Sequence, residues 1–417
     1  MTATYLAEQI WKTSVLGLSI ERSPTAQNSC HFQRIEKMND ITIRSVNDRN
    51  GKMAFLRLPF ELYKNDPCWV APLYFERLQH LDTKKNPYFQ RAEAQLFLAE
   101  QHGKIVGRIS AQIDPLHTSR YQDGVGQFGF LEAINDPAVF AALLGASACW
   151  LKSKGMDWMR GPFSFSINDE AGLLVDGFET PPNMMMGHAL PYYAQHVESS
   201  GCQKIRDLYA YDYPLSTSIP SLIERAYKRA MKSGEVQVRP LNKQKVDEEL
   251  DIVMSIFNDA WSGNWGFIPL TEAELRLFAS QLRMLVTGDF VAIASVNGIP
   301  AAMCVTLPNL NEWYRDLNGK LFPFGWLKLM ARMFSKRSQS VRLVLMGVRK
   351  EFQGTTQGAA LAFAVIMAVR KYHLSRGVKQ VEMSWVLEDN LGMRKIIETA
   401  GATHYKTYRV YEKSLRF

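Results

Sequence analysis

The stretch Leu345–Leu361, LMGVRKEFQGTTQGAAL, constrains the fold of this 417-residue chain more than any other segment. An apolar strand ends at Val348, a turn rich in Gly and Thr follows, and a long apolar helix begins near Gly358. A turn of this kind presents successive backbone N–H groups at a helix N-terminus, where the helix dipole favours negative charge. Pyrophosphate is the usual occupant of such a turn. The plainer alternative is that Gly354 and Gly358 only join a strand to a helix.

The surrounding pattern repeats this α/β grammar. Upstream, EVQVRPLN (235–242) reads as a strand, and helices are expected at about 246–261 and 271–285. Residues 289–308 read as a hairpin turning at Asn297–Gly298, a strong short-range hairpin signal. Downstream come a strand over Gln380–Leu387, a helix after Asn390 and a last strand, TYRVYEK. The first half has the same order. ITIRSV opens it, and a hairpin turns at His102–Gly103. A helix starts at Asp136–Pro137 and stops at Gly155, and DLYAYDYPL closes the region.

Both halves thus read β, helix, β-hairpin, β, helix, β, helix, β, which predicts an internal duplication. The expected division is an N-terminal extension over 1–40, a first lobe over 41–215, a linker over 216–234 and a second lobe over 235–417. Met38 could be a second start, so the first 37 residues are expected to be dispensable.

Composition narrows the partners. Hydrophobic content of 47% and charged content of 22% are those of a globular chain. The net charge of +8 favours anionic partners such as phosphate-bearing ligands or anionic lipid, or reflects no more than a solvated basic surface. Five cysteines without CxxC pairing and eight histidines without ligand spacing argue against a disulfide framework and against a metal site. No stretch approaches the roughly eighteen apolar residues of a membrane span, and no signal peptide is apparent. The expected location is the cytoplasm, with the inner-membrane surface as a peripheral option. Aromatic residues are not interleaved with basic ones as single-strand binders require, so no nucleic-acid partner is expected.

The turn at Gln353–Gly358 resembles motif A of the GNAT acyltransferases, which cradles the coenzyme A pyrophosphate. Gln353, Gly354 and Gly358 match, whereas Thr356 stands where the family has its central Gly. Thr cannot approach phosphate as closely or take positive φ cheaply. The run SWVLEDN followed by LGMRKIIETAGA resembles motif B, with Asn390, Met393, Ile397 and Gly401 in the family's positions. The resemblance implies an α/β (α+β) fold of two tandem GNAT-like domains, each a mixed central sheet flanked by helices. It implies donor contacts from Val348, Gln353, Gly354, Thr356, Gly358, Ala359 and Asn390. It would place Tyr405 or Tyr408 near the leaving thiol. Acyl-CoA, or an acyl carrier protein thioester, is then a co-substrate, with no permanently bound cofactor. The first half has INDPAVFAALLG (134–145) at the equivalent turn, without Gln or glycine before its helix, so it is expected to shape the acceptor pocket.

Amide formation needs a route for the amine proton, commonly a carboxylate. Asn168, Asp169 and Glu170 cluster in the loop of GPFSFSINDEAGLLVDGF, where a turn or cap is the competing use. Glu382 and Ser384 alternate on the expected central strand, and Tyr408 completes the catalytic candidates. Met184–Met186 and His188 follow in PPNMMMGH. Met185 could meet an acyl chain, and His188 could be a base or a structural histidine. Trp261 and Trp265, in WSGNWGF, are candidates for the acceptor wall.

Residues 309–340 read as an insertion in the second half. Phe322, Trp326, Leu329, Met330, Met333 and Phe334 share one helical face, and Lys328, Arg332 and Lys336 lie on another. An interfacial membrane contact over 321–337, a lid, and a helix packed on the core are the competing readings.

The chain after Asp40 resembles tandem GNAT proteins of Gram-negative bacteria that often carry a dATP pyrophosphohydrolase label, some of them bacterial ceramide synthases. The Glu-rich helix that a nucleotide hydrolase uses for Mg²⁺ is missing. The function implied is an acyl-CoA-dependent N-acyltransferase acting on a lipid-like amine such as a sphingoid base. A non-catalytic acyl-CoA-binding or regulatory protein is the alternative.

Overall fold

The computed structural model describes residues 40–416, apart from Ser233, 283–287 and 336–337. The expectations for the N-terminal extension therefore lie outside the described residues, as does Lys336.

Among the described residues, thirteen strands form one mixed sheet. They are β1 (Ile41–Val46), β2 (Glu93–Gln101), β3 (Lys104–Ile113), β4 (Val125–Ala133), β5 (Trp158–Gly161), β6 (Leu173–Asp176) and β7 (Gln203–Pro214), then β8 (Val236–Pro240), β9 (Val291–Val296), β10 (Ile299–Pro308), β11 (Ser340–Val348), β12 (Gln380–Leu387) and β13 (Thr403–Ser414). The spatial order is β1-β2-β3-β4-β5-β13-β7-β12-β11-β10-β9-β8, with β6 paired to β13. Both hairpins turn where the sequence places them. Asn297 and Gly298 have φ of 51° and 82°, and His102 and Gly103 have 50° and 73°, the left-handed pair a tight two-residue turn needs.

The centre of the sheet is interleaved. β13, the last strand in the chain, lies between β5 and β7, while β7 pairs along its other edge with β12. Strand content from both ends of the chain is therefore hydrogen-bonded into the middle.

Strand periodicity sets the layers. In β9 and β10, Ala292, Ala294, Ala302 and Cys304 pack against the helix Thr356–Ser375, whose Leu361, Ala364, Val365 and Val369 meet them. The intervening Val291, Ile293, Met303 and Val305 face the helix Val246–Trp261 through Val253, Ile256 and Phe257. In the other half, the helix Pro137–Ser153 covers β2 and β3, with Val139, Phe140, Leu143 and Leu144 fully buried. Each helix buries a whole apolar stripe, worth about 1.5–3 kcal/mol per large side chain.

The strand β5 that follows the helix Pro137–Ser153 is short. β5 stops at Gly161 because Pro162 has no N–H to give the ladder. The helix expected from about Gly358 begins two residues earlier, capped by Thr355, whose Oγ1 accepts the Gly358 N–H at 3.0 Å.

Candidate active site

The sheet opens where β11 leaves β12. These strands are parallel neighbours only over Ser340–Leu343 and Gln380–Met383. Beyond Leu343, β11 stays paired with β10 through Val348, so a wedge opens between β11 and β12. Trp261 Nε1 donates to the Met346 carbonyl at 2.8 Å, fixing the departing part of β11 against the helix Val246–Trp261.

Charge is buried at the root of that wedge. Arg342 and Glu382 face each other across the parallel register, 3.7 Å apart, and each is about 3% exposed. Arg342 also donates to Ser384 Oγ at 2.9 Å and to the Met184 carbonyl at 2.9 Å, and lies over the Trp385 ring. Glu382 accepts from the hydroxyls of Ser384 and Tyr405. Tyr408 is fully buried nearby, and its hydroxyl finds no partner among the described residues. Burial first, then the charges of Glu382 and Glu170, hold its phenol well above the ordinary range, so it stays protonated.

Beside this cluster is a cavity of about 140 Å³. Its walls include Trp69, Val70, Arg77, Arg108, Glu132, Ser164, Glu170, Met185, Met186 and His188. Glu170 pairs with Arg77 and accepts from Ser164 Oγ at 3.3 Å. Burial opposes its charge, but the Arg77 guanidinium outweighs burial and holds the carboxyl below its usual range. Glu132 accepts from Tyr63 at 2.6 Å and from Tyr193 at 2.8 Å, with Arg108 at 3.6 Å; burial dominates and pushes it up. His188 bonds Asp66 at 2.7 Å, and burial keeps the imidazole below its ordinary value. The cavity meets the wedge through Met186, whose sulfur accepts from Ser384 Oγ at 3.5 Å.

Asp169 sits next to this wall. Desolvation, opposed by a 3.3 Å bond from the Ser166 N–H and reinforced by Glu274 and Glu170, pushes it up to about 7. Its side chain keeps about 38% exposure, so solvent moderates the effect. His80, 3.8 Å away, is pushed down to about 4 by burial and by Arg77.

The turn at Gln353–Gly358 is arranged differently. Gly354 has φ of 75°, and a Cβ at Gly358 would fall 2.0 Å from the Phe352 carbonyl oxygen, so both positions require glycine. Gln353 folds back to donate to the Val348 carbonyl at 2.8 Å. Thr356 and Ala359 are exposed in the first turn of the helix. Asn390 caps the helix Leu391–Thr399 by accepting from the Met393 N–H at 3.1 Å. Among the described residues no cluster of three His, Cys, Asp or Glu is arranged for a metal, and no helix is long and apolar enough to cross a membrane.

A tandem GNAT protein from the clavulanic acid biosynthesis pathway superposes with a TM-score of 0.51 at 12% identity, over 90% of this chain and 99% of that one. The GCN5-related glucosamine N-acetyltransferase region of a fungal multi-domain GH3 β-N-acetylglucosaminidase gives 0.53 at 14% identity, over 89% of this chain and 38% of that one. At these identities the likeness is one of fold. Sequence relatives go further. Protein YghO of Escherichia coli (strain K12) is 44% identical over 378 residues, 89% of this chain and 95% of that protein. The bacterial ceramide synthase of Caulobacter vibrioides (strain NA1000 / CB15N) is 45% identical over 377 residues, 90% and 98% of the two chains. This chain belongs to the tandem GNAT-fold acyltransferase family. No family model matches it.

In this family member the residues singled out by sequence fall into three places. Glu170, Met185 and His188 line the cavity, and Glu382 and Tyr408 stand at the wedge beside it. Asn168 is turned away, donating to the Ile268 carbonyl at 3.0 Å. Neither Trp261 nor Trp265 is among the cavity-lining residues. Trp265 instead lies under Arg160 and Arg206.

Sequence reading missed Arg77, Arg108, Glu132 and Arg342. A signal existed for three of them. Arg342 interrupts the apolar strand SVRLVLMGV opposite Glu382, and Arg108 pairs in register with Glu132 on β4. A charge inside an apolar strand demands an opposite charge nearby. Arg77 lies on the short helix Tyr74–His80, where no pattern marks it.

Proposed function

We propose that this protein is an acyl-CoA-dependent N-acyltransferase that moves a long acyl chain onto a lipid-like amine of the sphingoid-base class. The observation that carries the reading is the junction of cavity and wedge at Met186 and Ser384, which joins a pocket lined by both charged and apolar side chains to an open strand pair. The name of the Caulobacter relative supports the amine class. In this reading residues 41–215 shape the acceptor side and 235–417 hold the donor. The cradle is Gln353, Gly354, Thr356, Gly358 and Ala359, with Val348 and Asn390 along the wedge.

The chemistry follows from the side chains present. The amine arrives protonated and meets Glu170 in the cavity. Asp169, near 7, is the base best matched to neutral pH. The freed nitrogen lone pair attacks the thioester carbonyl, the C–N bond forms, and the C–S bond breaks as the tetrahedral intermediate collapses. Tyr408, protonated and without a hydrogen-bond partner among the described residues, gives its proton to the departing thiolate and is restored by the second proton that the nitrogen loses on collapse. The products are an amide, a free thiol and one proton returned to solvent.

Pure protein incubated with palmitoyl-CoA and sphingoid bases should release free thiol and form amide, and the same acyl group on acyl carrier protein distinguishes the carriers. Absence of thiol with every amine tried refutes the proposal. A second reading, acyl-CoA binding without turnover, rests on Thr356 in the cradle and on Gln353 being engaged by Val348; binding without thiol release would select it.

A further inference from the structure

The segment around the helix Gly325–Ser335 has two faces that sequence periodicity does not separate. Leu329 and Met333 turn inward onto Val70, Leu73, Met184, Trp313 and Leu317. The outward set is Phe322, Phe324, Trp326, Leu327 and Phe334, of which Phe322, Phe324 and Phe334 are 62%, 69% and 75% exposed. Single exposed apolar residues are ordinary, but five large ones within one short segment are not. Lys328 and Arg332 are not a free cationic stripe: both bond to Asp316, at 3.2 Å and 2.6 Å. Exposed Arg315 and Lys320 add to them, so four cations stand against one acid, and no acidic residue occurs from Leu317 to Lys350.

This surface is continuous with the cavity. Val70 and Met185 belong both to the apolar cluster under the helix and to the cavity wall. Gly319 fits against Phe60 and Pro72, both wall residues, and its carbonyl accepts the Tyr74 N–H at 3.1 Å. Asn311, itself in the wall, donates to the Pro182 carbonyl at 2.9 Å.

We propose that Phe322, Phe324, Trp326, Leu327 and Phe334 dock this face into an anionic bilayer, with Arg315 and Lys320 at headgroup level, so that an acceptor passes from the membrane to the cavity beneath. Projecting aromatics bordered by cations match the apolar boundary and negative potential of such a surface. The docking stands on the surface alone, whereas the delivery role rests on the lipid-like acceptor proposed above.

The test is flotation of the full chain with phosphatidylglycerol–phosphatidylcholine vesicles and with phosphatidylcholine alone, at low and high salt. The wild type should float with the anionic vesicles and lose binding in salt. The variant Phe322→Ser/Phe324→Ser/Leu327→Ser/Phe334→Ser should partition at least about tenfold less, and Arg315→Glu/Lys320→Glu should lose only the anionic preference. Thiol release with a short water-soluble amine should be unchanged in both variants, and release with a vesicle-embedded amine should fall. A wild type that does not float, a serine variant that floats equally, or a wild-type dimer that this variant abolishes would each overturn the docking. Flotation without thiol release from any amine would sink the acyl-transfer reading and leave the docking intact.

Discussion

Glu382→Gln is the substitution for which the structure gives the clearest expectation. Gln keeps the volume but removes the charge facing Arg342, and it places an amide where the Ser384 and Tyr405 hydroxyls now donate. Arg342 stays behind, about 3% exposed, with neutral oxygens of Ser384 and Met184 but no counter-charge 3.7 Å away. Removing one member of a buried pair costs about 3–5 kcal/mol, because the survivor remains buried and uncompensated. Adding Arg342→Met removes the survivor's charge, so the double variant should regain about 2 kcal/mol or more. It should not regain everything, since Arg342 also ties the Met184 carbonyl on the cavity side. Guanidinium unfolding of the four proteins of this cycle, followed by tryptophan fluorescence, gives the coupling directly. A loss below about 1 kcal/mol for Glu382→Gln, or a double variant no more stable than that single one, would show that Arg342 finds solvent and would refute the reasoning.

Other expectations follow from single contacts. Gly129→Ala would set a Cβ 1.7 Å from the Phe163 carbonyl oxygen, a backbone atom that cannot yield, so unfolding should shift by about 3 kcal/mol or more in the same titration. Tyr408→Phe removes a buried hydroxyl without a described partner; stability should move by under about 1 kcal/mol, while thiol release should fall roughly 10²-fold if that hydroxyl is the proton donor. Asp169 is raised to about 7 in the fold, so its protonated form is favoured there and its contribution is lost as pH rises from the ordinary carboxylate value through about 7. Asp169→Asn should therefore gain stability over the wild type across that window in pH-dependent melts, by an amount its partial exposure keeps modest, and should abolish the rise of turnover near pH 7.

How much of this was legible in sequence depended on whether a feature is local. The hairpin at Asn297–Gly298 and the turn at Gln353–Gly358 are set by residues a few positions apart, and both appear where expected. The buried polar cluster is not local. Arg77 reaches Glu170 across 93 positions, and Arg342 reaches the Met184 carbonyl across 158. Partners this far apart depend on tertiary placement, and the register that interleaves β7 and β13 at the centre of the sheet is likewise one that periodicity cannot show. The helix Gly325–Ser335 shows the same limit: its six-residue apolar stripe was visible, but not that Leu329 and Met333 would be taken by the core while Phe322, Trp326 and Phe334 face out.

The two halves also treat the same gap in the sheet in opposite ways. β4 and β5 pair only over Val125–Gln127 and Trp158–Arg160, even more briefly than β11 and β12 do. There, however, the chain fills its own gap. The Phe163 N–H donates to the Phe128 carbonyl at 2.7 Å, and Gln112 Nε2 donates to the Phe163 carbonyl at 2.9 Å. Gly129 and Gly161 permit this close approach, since a Cβ at either would strike backbone oxygen. The loop that leaves this seam runs from Ser164 to Glu170, closed by a 2.9 Å bond from the Ser164 N–H to the Glu170 carbonyl, and both residues line the cavity. Filling the first gap is thus what presents Glu170 to the cavity, while the second gap stays free beside Ser384. In the acyl-transfer reading proposed above, the filled first gap forms part of the acceptor wall and the open second gap leaves room for a thioester.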